Sequence, residues 1–213
     1  MKYWLVVTFL FVGGWAKAQS TDDTFSSQIS NFGVAVSGGL GINDFTITSP
    51  NTEAIYSGFA IDTNLYAPIW QNDIFALNTG LSFRYLDASN NANSGAGKEY
   101  VEMYGPGLGL NLNIYRLLIG ANYYFMNGKH YWVGDNSEEL KYDMQVLSTY
   151  VGLYVPISSS MKVMFAYSQS SGELPKSKTN FINDAPFESN TVWFYLVYGA
   201  GDSVGQFIER LFK

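Results

Sequence analysis

From residue 32 onward the chain alternates apolar residues with small or polar ones, and it does so in repeated short runs. The clearest run is 107–114, where Leu108, Leu110, Leu112 and Ile114 fall on one face and Gly107, Gly109, Asn111 and Asn113 on the other. At 77–85, Leu77, Thr79, Leu81, Phe83 and Tyr85 oppose Asn78, Gly80, Ser82 and Arg84. Residues 58–67 set Phe59, Ile61, Thr63 and Leu65 against Gly58, Ala60, Asp62, Asn64 and Tyr66, and 117–125 set Leu117, Ile119, Ala121, Tyr123 and Phe125 against Gly120, Asn122 and Tyr124. Side chains of a strand point to alternate faces, so each run predicts a strand with one apolar face. Eight strands are predicted, at 32–42, 56–67, 74–86, 99–114, 117–126, 140–155, 161–170 and 189–200. Two are less regular. Residues 192–198 are apolar on both faces, and 140–146 place Lys141, Asp143 and Gln145 where the same strand later carries Leu147, Val151 and Leu153. Either that strand projects above a membrane, or a bulge switches its faces.

The connections alternate in length. Those at 43–55, 87–98, 127–139 and 171–188 read as long and polar; those at 68–73, 115–116 and 156–160 are short. Long loops at one end and short turns at the other are the layout of transmembrane barrels, with the turns in the periplasm. The fold predicted is all-β: an eight-stranded antiparallel up-and-down barrel with long outer loops. No stretch after residue 18 is long and apolar enough for a membrane helix.

A soluble lipocalin-like barrel is the alternative, with its apolar face inside. Its outside would then carry glycines and asparagines and few charges, whereas soluble surfaces are normally rich in charge. The inverse assignment fits better. An eight-stranded interior is only wide enough for side chains, which suits Gly, Ala, Ser and Asn. That predicts a polar network inside, formed by Asp62, Asn64, Asn78, Arg84, Asn111, Asn113, Asn122 and Lys162. Its charges must be paired to be buried. Tyr85, Tyr100, Tyr104, Tyr123, Phe125, Tyr142 and Tyr167 near one end, with Tyr66, Trp70 and Tyr115 near the other, suggest two interfacial girdles; plain β-propensity would also place them in strands.

Composition supports a surface that does not meet water everywhere: charged residues are 14% of the chain, with 16 Tyr, 15 Phe and 21 Gly. The N-terminal 18 residues read as an export signal, with Lys2, an apolar run over 3–15, and Ala16-Lys17-Ala18 for cleavage. Residues 19–31 would follow as a periplasmic segment, 32–200 as the barrel and 201–213 as a periplasmic tail. Cleavage removes Lys2 and Lys17 and takes the formal charge from -6 to -8. Such a chain has no basic cluster for nucleic acid. It has no Cys, so disulfides and thiolate zinc sites are excluded.

Segments such as "GPGLGLNLNIY" (105–115) and "GLSFRYL" (80–86), with the eight-strand layout, resemble the small Gram-negative outer-membrane barrels of the OmpA, OmpX and OmpW kind. The resemblance implies residence in the bacterial outer membrane, a porin-like monomeric barrel without a wide pore, and contact with outer-membrane lipid, lipopolysaccharide and the barrel-assembly machinery. One departure is the tail after the last strand. Such barrels commonly end on an aromatic in that strand, whereas here Val204, Phe207, Ile208, Leu211 and Phe212 form a stripe of helical period. That segment is either an amphipathic helix or a frayed end.

Candidate chemistry is sparse. The single His, His130, lies in "NGKHYW" near Asp135, Glu138 and Glu139, with Ser168, Ser170 and Ser171 two predicted strands away. A lipid-hydrolysing grouping is conceivable there, without a nucleophile motif to support it, and the chain reads as no enzyme. The long connections carry nine acids and four bases but no calcium-loop spacing, so no metal or cofactor is assigned. A structural or surface-interaction role in the envelope is the preferred reading. A narrow channel, or a carrier for a small or apolar molecule, is the alternative. A filled interior favours the first; a water path, or an apolar pocket open to lipid, favours the second.

Overall fold

The computed structural model describes residues 34–49, 52–71, 75–90, 98–133, 139–157, 161–174 and 185–199. The expected export signal, the 19–31 segment and the C-terminal tail lie outside them. Eight strands follow in order: β1 Ala35–Ser49, β2 Thr52–Gln71, β3 Phe75–Asn90, β4 Lys98–Ile114, β5 Leu117–Val133, β6 Glu139–Pro156, β7 Met161–Leu174 and β8 Ala185–Gly199. Each pairs antiparallel with its sequence neighbours, and β1 also pairs with β8, which closes the barrel. Closure leaves no sheet edge along the paired length, so backbone groups need no water there.

The apolar faces point outward. Leu108, Leu110, Leu81, Ile119 and Phe165 are exposed, and Ile42 is 76% exposed, while Asn111, Asn122 and Ser82 are buried. The outward apolar band has a sharp upper border that the register carries around the barrel. Ile42 pairs with Phe59 and Val192, and two residues higher Asp44 pairs with Ser57 and Asn190. Likewise Tyr85 pairs with Tyr104, and Asp87 above it with Glu102; Tyr123 pairs with Leu147, and Asn127 with Asp143. On β3 the band runs over residues 75–85. Ten intervals of ~3.3 Å at a tilt of ~40° give a height of about 25 Å, the thickness of a barrel's apolar belt.

The strands are longer than the sequence pattern suggested, chiefly at the end away from the short turns; β2 also continues through 68–71 at the other end, where a short turn was expected. Residues 43–49 and 52–55 are strand, as are 87–90, 127–133, 171–174 and 185–188, all read from the sequence as loop. The cause is an inversion of polarity. Inside the band, outward means apolar and inward means small or polar. Above it, outward residues become Asp44, Asp87, Glu102, Lys129 and Lys141, while inward ones become Phe45, Ile47, Leu86, Met103, Met126, Met144, Leu174 and Phe187. The upper barrel is thus patterned like a soluble barrel, and its inward apolar residues join a buried cluster that continues down to Leu118, Met164 and Val197 near the short turns. The same inversion accounts for β6. Its pairing with β5 runs unbroken from Leu117↔Leu153 to Tyr131↔Glu139, so no bulge switches its faces; Lys141, Asp143 and Gln145 stand on the same outward face as Leu147, above the apolar band.

Two local features set the short-turn end. Pro68 has no N–H to give the ladder, and the register slips there: Pro68 faces Asn78 and Trp70 faces Leu77. The extra residue lets both Ile69 and Trp70 point outward, where Trp70 packs on Phe75 at 4.5 Å between ring centres. At the β4–β5 turn, Tyr115 has φ 52°, the left-handed conformation that a two-residue hairpin demands, and Arg116 O accepts Tyr154 N–H at 2.8 Å.

Candidate functional site

The chemistry-bearing residues of the described chain converge on the lumen. All eight residues of the anticipated polar network are buried there. The central pair is Asp62 on β2 and Arg84 on β3, cross-strand partners whose ion pair closes at 3.2 Å. Asp62 also accepts Tyr124 OH at 3.1 Å and Tyr195 OH at 2.9 Å. Arg84 Nη1 donates to Ser148 Oγ at 3.1 Å and to Ser170 Oγ at 3.3 Å. Its guanidinium lies over the rings of Tyr124 at 4.3 Å and Trp193 at 4.9 Å, a sandwich that suits a weakly hydrated planar cation. Trp193 Nε1 donates in turn to Ser168 Oγ at 2.8 Å.

Towards the short turns the network becomes an amide and phenol layer. Asn122 Nδ2 donates to Tyr124 OH at 2.8 Å and its Oδ1 accepts Tyr66 OH at 3.0 Å. Tyr66 OH and Tyr150 OH share a hydrogen bond of 3.0 Å. Asn64 donates to Ser37 Oγ at 3.3 Å, and Asn78 to Asn111 Oδ1 at 2.8 Å. Asn64, Asn78, Asn111, Asn113 and Asn122 border a cavity of ≈ 30 Å³, room for about two waters. Lys162 is not in the Asp62–Arg84 cluster; it lies at the short-turn end of β7, 5.6 Å from the Tyr154 ring centre.

The interior glycines, which on sequence alone could leave voids, are the sites where rings fit. A Cβ on Gly39 would overlap the Tyr195 ring, on Gly41 the Trp193 ring, on Gly107 the Tyr124 ring and on Gly120 the Tyr150 ring. Small residues on one strand therefore seat large ones from the next. Tyr66 and Tyr142, assigned from sequence to the girdles, point inward into this packing. The Tyr and Trp members of the network were not anticipated. The available signal was β8, whose two apolar faces differ in that one carries Trp193 and Tyr195, rings with a polar tip.

Above the network, the apolar core is capped by Tyr56, Glu99 and His130. Tyr56 OH donates to Glu99 Oε2 at 2.6 Å and lies 3.3 Å from His130 Nε2. Burial first, then Glu99, push the Tyr56 hydroxyl up, so it stays protonated and acts as donor. His130 is in β5, not a loop, and its acid partner is Glu99 at 3.5 Å. Asp135 and Glu138 lie outside the described residues, and Glu139 pairs with Lys141 on the outer face. Ser170 faces Ser148, which faces Asn122, eight residues down β5 from His130. At ~3.3 Å per residue that is about 26 Å along the strand, so the His130–Ser grouping does not assemble. Among the described residues, no group of three or more His, Cys, Asp or Glu is placed to hold a metal ion.

Neither protein-family models nor curated proteins match the sequence. Solved structures do. The structure of Neisserial surface protein A, NspA, is similar at a TM-score of 0.52 and 10% identity, over 76% of this chain and 96% of that one. Ail, the attachment invasion locus protein of Yersinia pestis, solved in complex with the heparin analogue sucrose octasulfate, matches at 0.52 and 10% identity, over 78% of this chain and 99% of that one. A second Ail structure matches at 0.51 and 9% identity, over the same shares. The likeness is one of fold: this chain has the closed eight-stranded antiparallel barrel of the small outer-membrane proteins.

Proposed function

We propose that the protein is a non-conducting outer-membrane barrel, exported by residues 1–18 as a cleavable signal, with a structural or surface-interaction role and no catalytic activity. The observation that carries this is the filled lumen: the Arg84–Asp62 cluster and the rings around it occupy the middle, and an apolar core closes the upper half. A water path would have to break both. On this reading the short turns face the periplasm, the band around Leu108 meets lipid, and the upper barrel stands clear of the membrane beside lipopolysaccharide. The assembly machinery inserts it as a monomer.

Charge narrows the interaction. The described upper strands carry Asp44, Glu53, Asp87, Glu99, Glu102, Glu139, Asp143, Glu173 and Glu188 against Lys98, Lys129 and Lys141. Ail was solved with a sulfated polyanion; this rim would repel one, and it suits a cationic or neutral partner. The test expresses the full precursor in a Gram-negative host, fractionates the envelope and reconstitutes the barrel in planar bilayers. A heat-modifiable outer-membrane band without stepwise conductance supports the reading. Steady single-channel steps would transfer it to the narrow-channel alternative.

A further inference from the structure

Among the described residues, the barrel wall opens into a groove between β6 and β7. The β6–β7 ladder stops at Val146↔Gly172, yet β6 continues up to Glu139 paired with β5, and β7 continues through Glu173↔Pro186 and Leu174↔Ala185 paired with β8. Above Val146 and Gly172 the two described strands therefore part, just where the outward band changes from Leu147 to Gln145. An open groove of ≈ 900 Å³ occupies the gap. That is within the size range of small-molecule sites.

The groove has three chemically distinct parts. Its outer flank is Tyr123, Phe125 and Leu147, the top row of the lipid-facing band. Its floor reaches the core side chains Met126, Met144, Leu174 and Phe187. Its rim carries the carboxylates of Asp143, Glu173 and Glu188, with no Lys, Arg or His among the lining residues. Methionine floors adapt to flexible chains. The flank joins the groove to the acyl region, and the rim stands at headgroup height.

We propose that this groove is a binding site for an amphiphile with a single alkyl chain and a cationic amine headgroup, entering sideways from the membrane. The chain lies against Phe125, Leu147 and the methionine floor. The ammonium group is held by the carboxylates of the rim, which exclude an anionic headgroup of the same chain length. The site rests on the membrane placement proposed above and adds to it the lipid-open apolar pocket expected of a carrier; the lumen stays non-conducting, because the groove ends on the core and does not open a path through it.

The test places a bimane fluorophore at Ser171→Cys, in the groove, and for comparison at Ile61→Cys, on the lipid face of β2. No other cysteine is present. The barrel is reconstituted in phosphatidylcholine vesicles and titrated with a nitroxide-bearing hexadecyl-dimethylammonium, then with a nitroxide-bearing fatty acid. The cationic probe is expected to quench Ser171→Cys saturably, at a concentration about fivefold below that needed at Ile61→Cys. Glu173→Gln/Glu188→Gln should remove about that fivefold advantage, since partly exposed ion pairs contribute modestly. Its heat-modifiable migration, unchanged, would show that the barrel still folds. Equal quenching at both positions, a fatty acid as effective as the amine, or an unaltered response in the double variant would overturn the proposal.

Discussion

Replacing Asp62 by Ala should reveal how the lumen holds a buried charge. The carboxylate is 1% exposed and takes Arg84, Tyr124 and Tyr195 at 3.2, 3.1 and 2.9 Å. Removing one partner of a buried ion pair typically costs about 3–5 kcal/mol, because the other charge stays buried. Here Arg84 keeps two rings and two serine hydroxyls, and each such ring contact is worth ~0.5–2 kcal/mol. The expected loss is therefore at the low end, about 3 kcal/mol. Arg84→Met should cost a similar amount. The double variant leaves no stranded charge and should cost about 2–3 kcal/mol less than the sum of the singles. Reversible urea unfolding in lipid vesicles, followed by tryptophan emission, measures all three; Trp193 is in contact with Arg84 and reports directly. Additivity of the singles within ~0.5 kcal/mol would refute the coupling and with it the account of the lumen.

Leu108→Arg, at mid-height of the outward band, should destabilise by about 2–4 kcal/mol, while Thr48→Arg above the band should change stability by less than ~0.5 kcal/mol; equal effects would remove the membrane border from where it is drawn. Gly39→Val should abolish the heat-modifiable band, because the new side chain overlaps Tyr195, whereas Gly38→Ala, with open space around its Cβ, should fold normally. Desolvation first, then Glu102 across the β3–β4 ladder, raise the Asp87 carboxyl above its ordinary range. The fold then binds that proton more readily than the unfolded chain, so the penalty is full above the folded value and fades as pH falls through it. Asp87→Asn should stabilise by about 0.2–1 kcal/mol at pH 7 and by nothing near pH 3; a gain that ignores pH would count against the like-charge explanation.

The lower half of the barrel was legible in the sequence because one rule governs it. Leu108 to Ile114 against Gly107 to Asn113 is a plain period of two, and the scarcity of charge on the small face decided which side points outward. The upper half was not legible as strand because the rule reverses there. Asp44 and Thr46 beside Phe45 and Ile47 read as a loop to anyone following the lower phase, yet the register continues without a break. Asp62, Arg84 and the asparagines were visible as polar residues on the inner face. Their partners were not, since Tyr124, Trp193 and Tyr195 look like sheet-forming aromatics until the glycines opposite give them space. The Tyr56–Glu99–His130 cluster joins β2, β4 and β5 over sequence separations that no local pattern spans.

If the apolar face of the strands meets lipid, a nitroxide at Leu108→Cys sits in hydrocarbon. In lipid vesicles its collisions with oxygen, which dissolves in hydrocarbon, are compared with those of a water-soluble nickel chelate. High oxygen accessibility and negligible nickel accessibility are expected at this mid-band position. High accessibility to the nickel chelate would mean that the apolar face is not in the membrane, and the inside-out assignment of the barrel would be wrong.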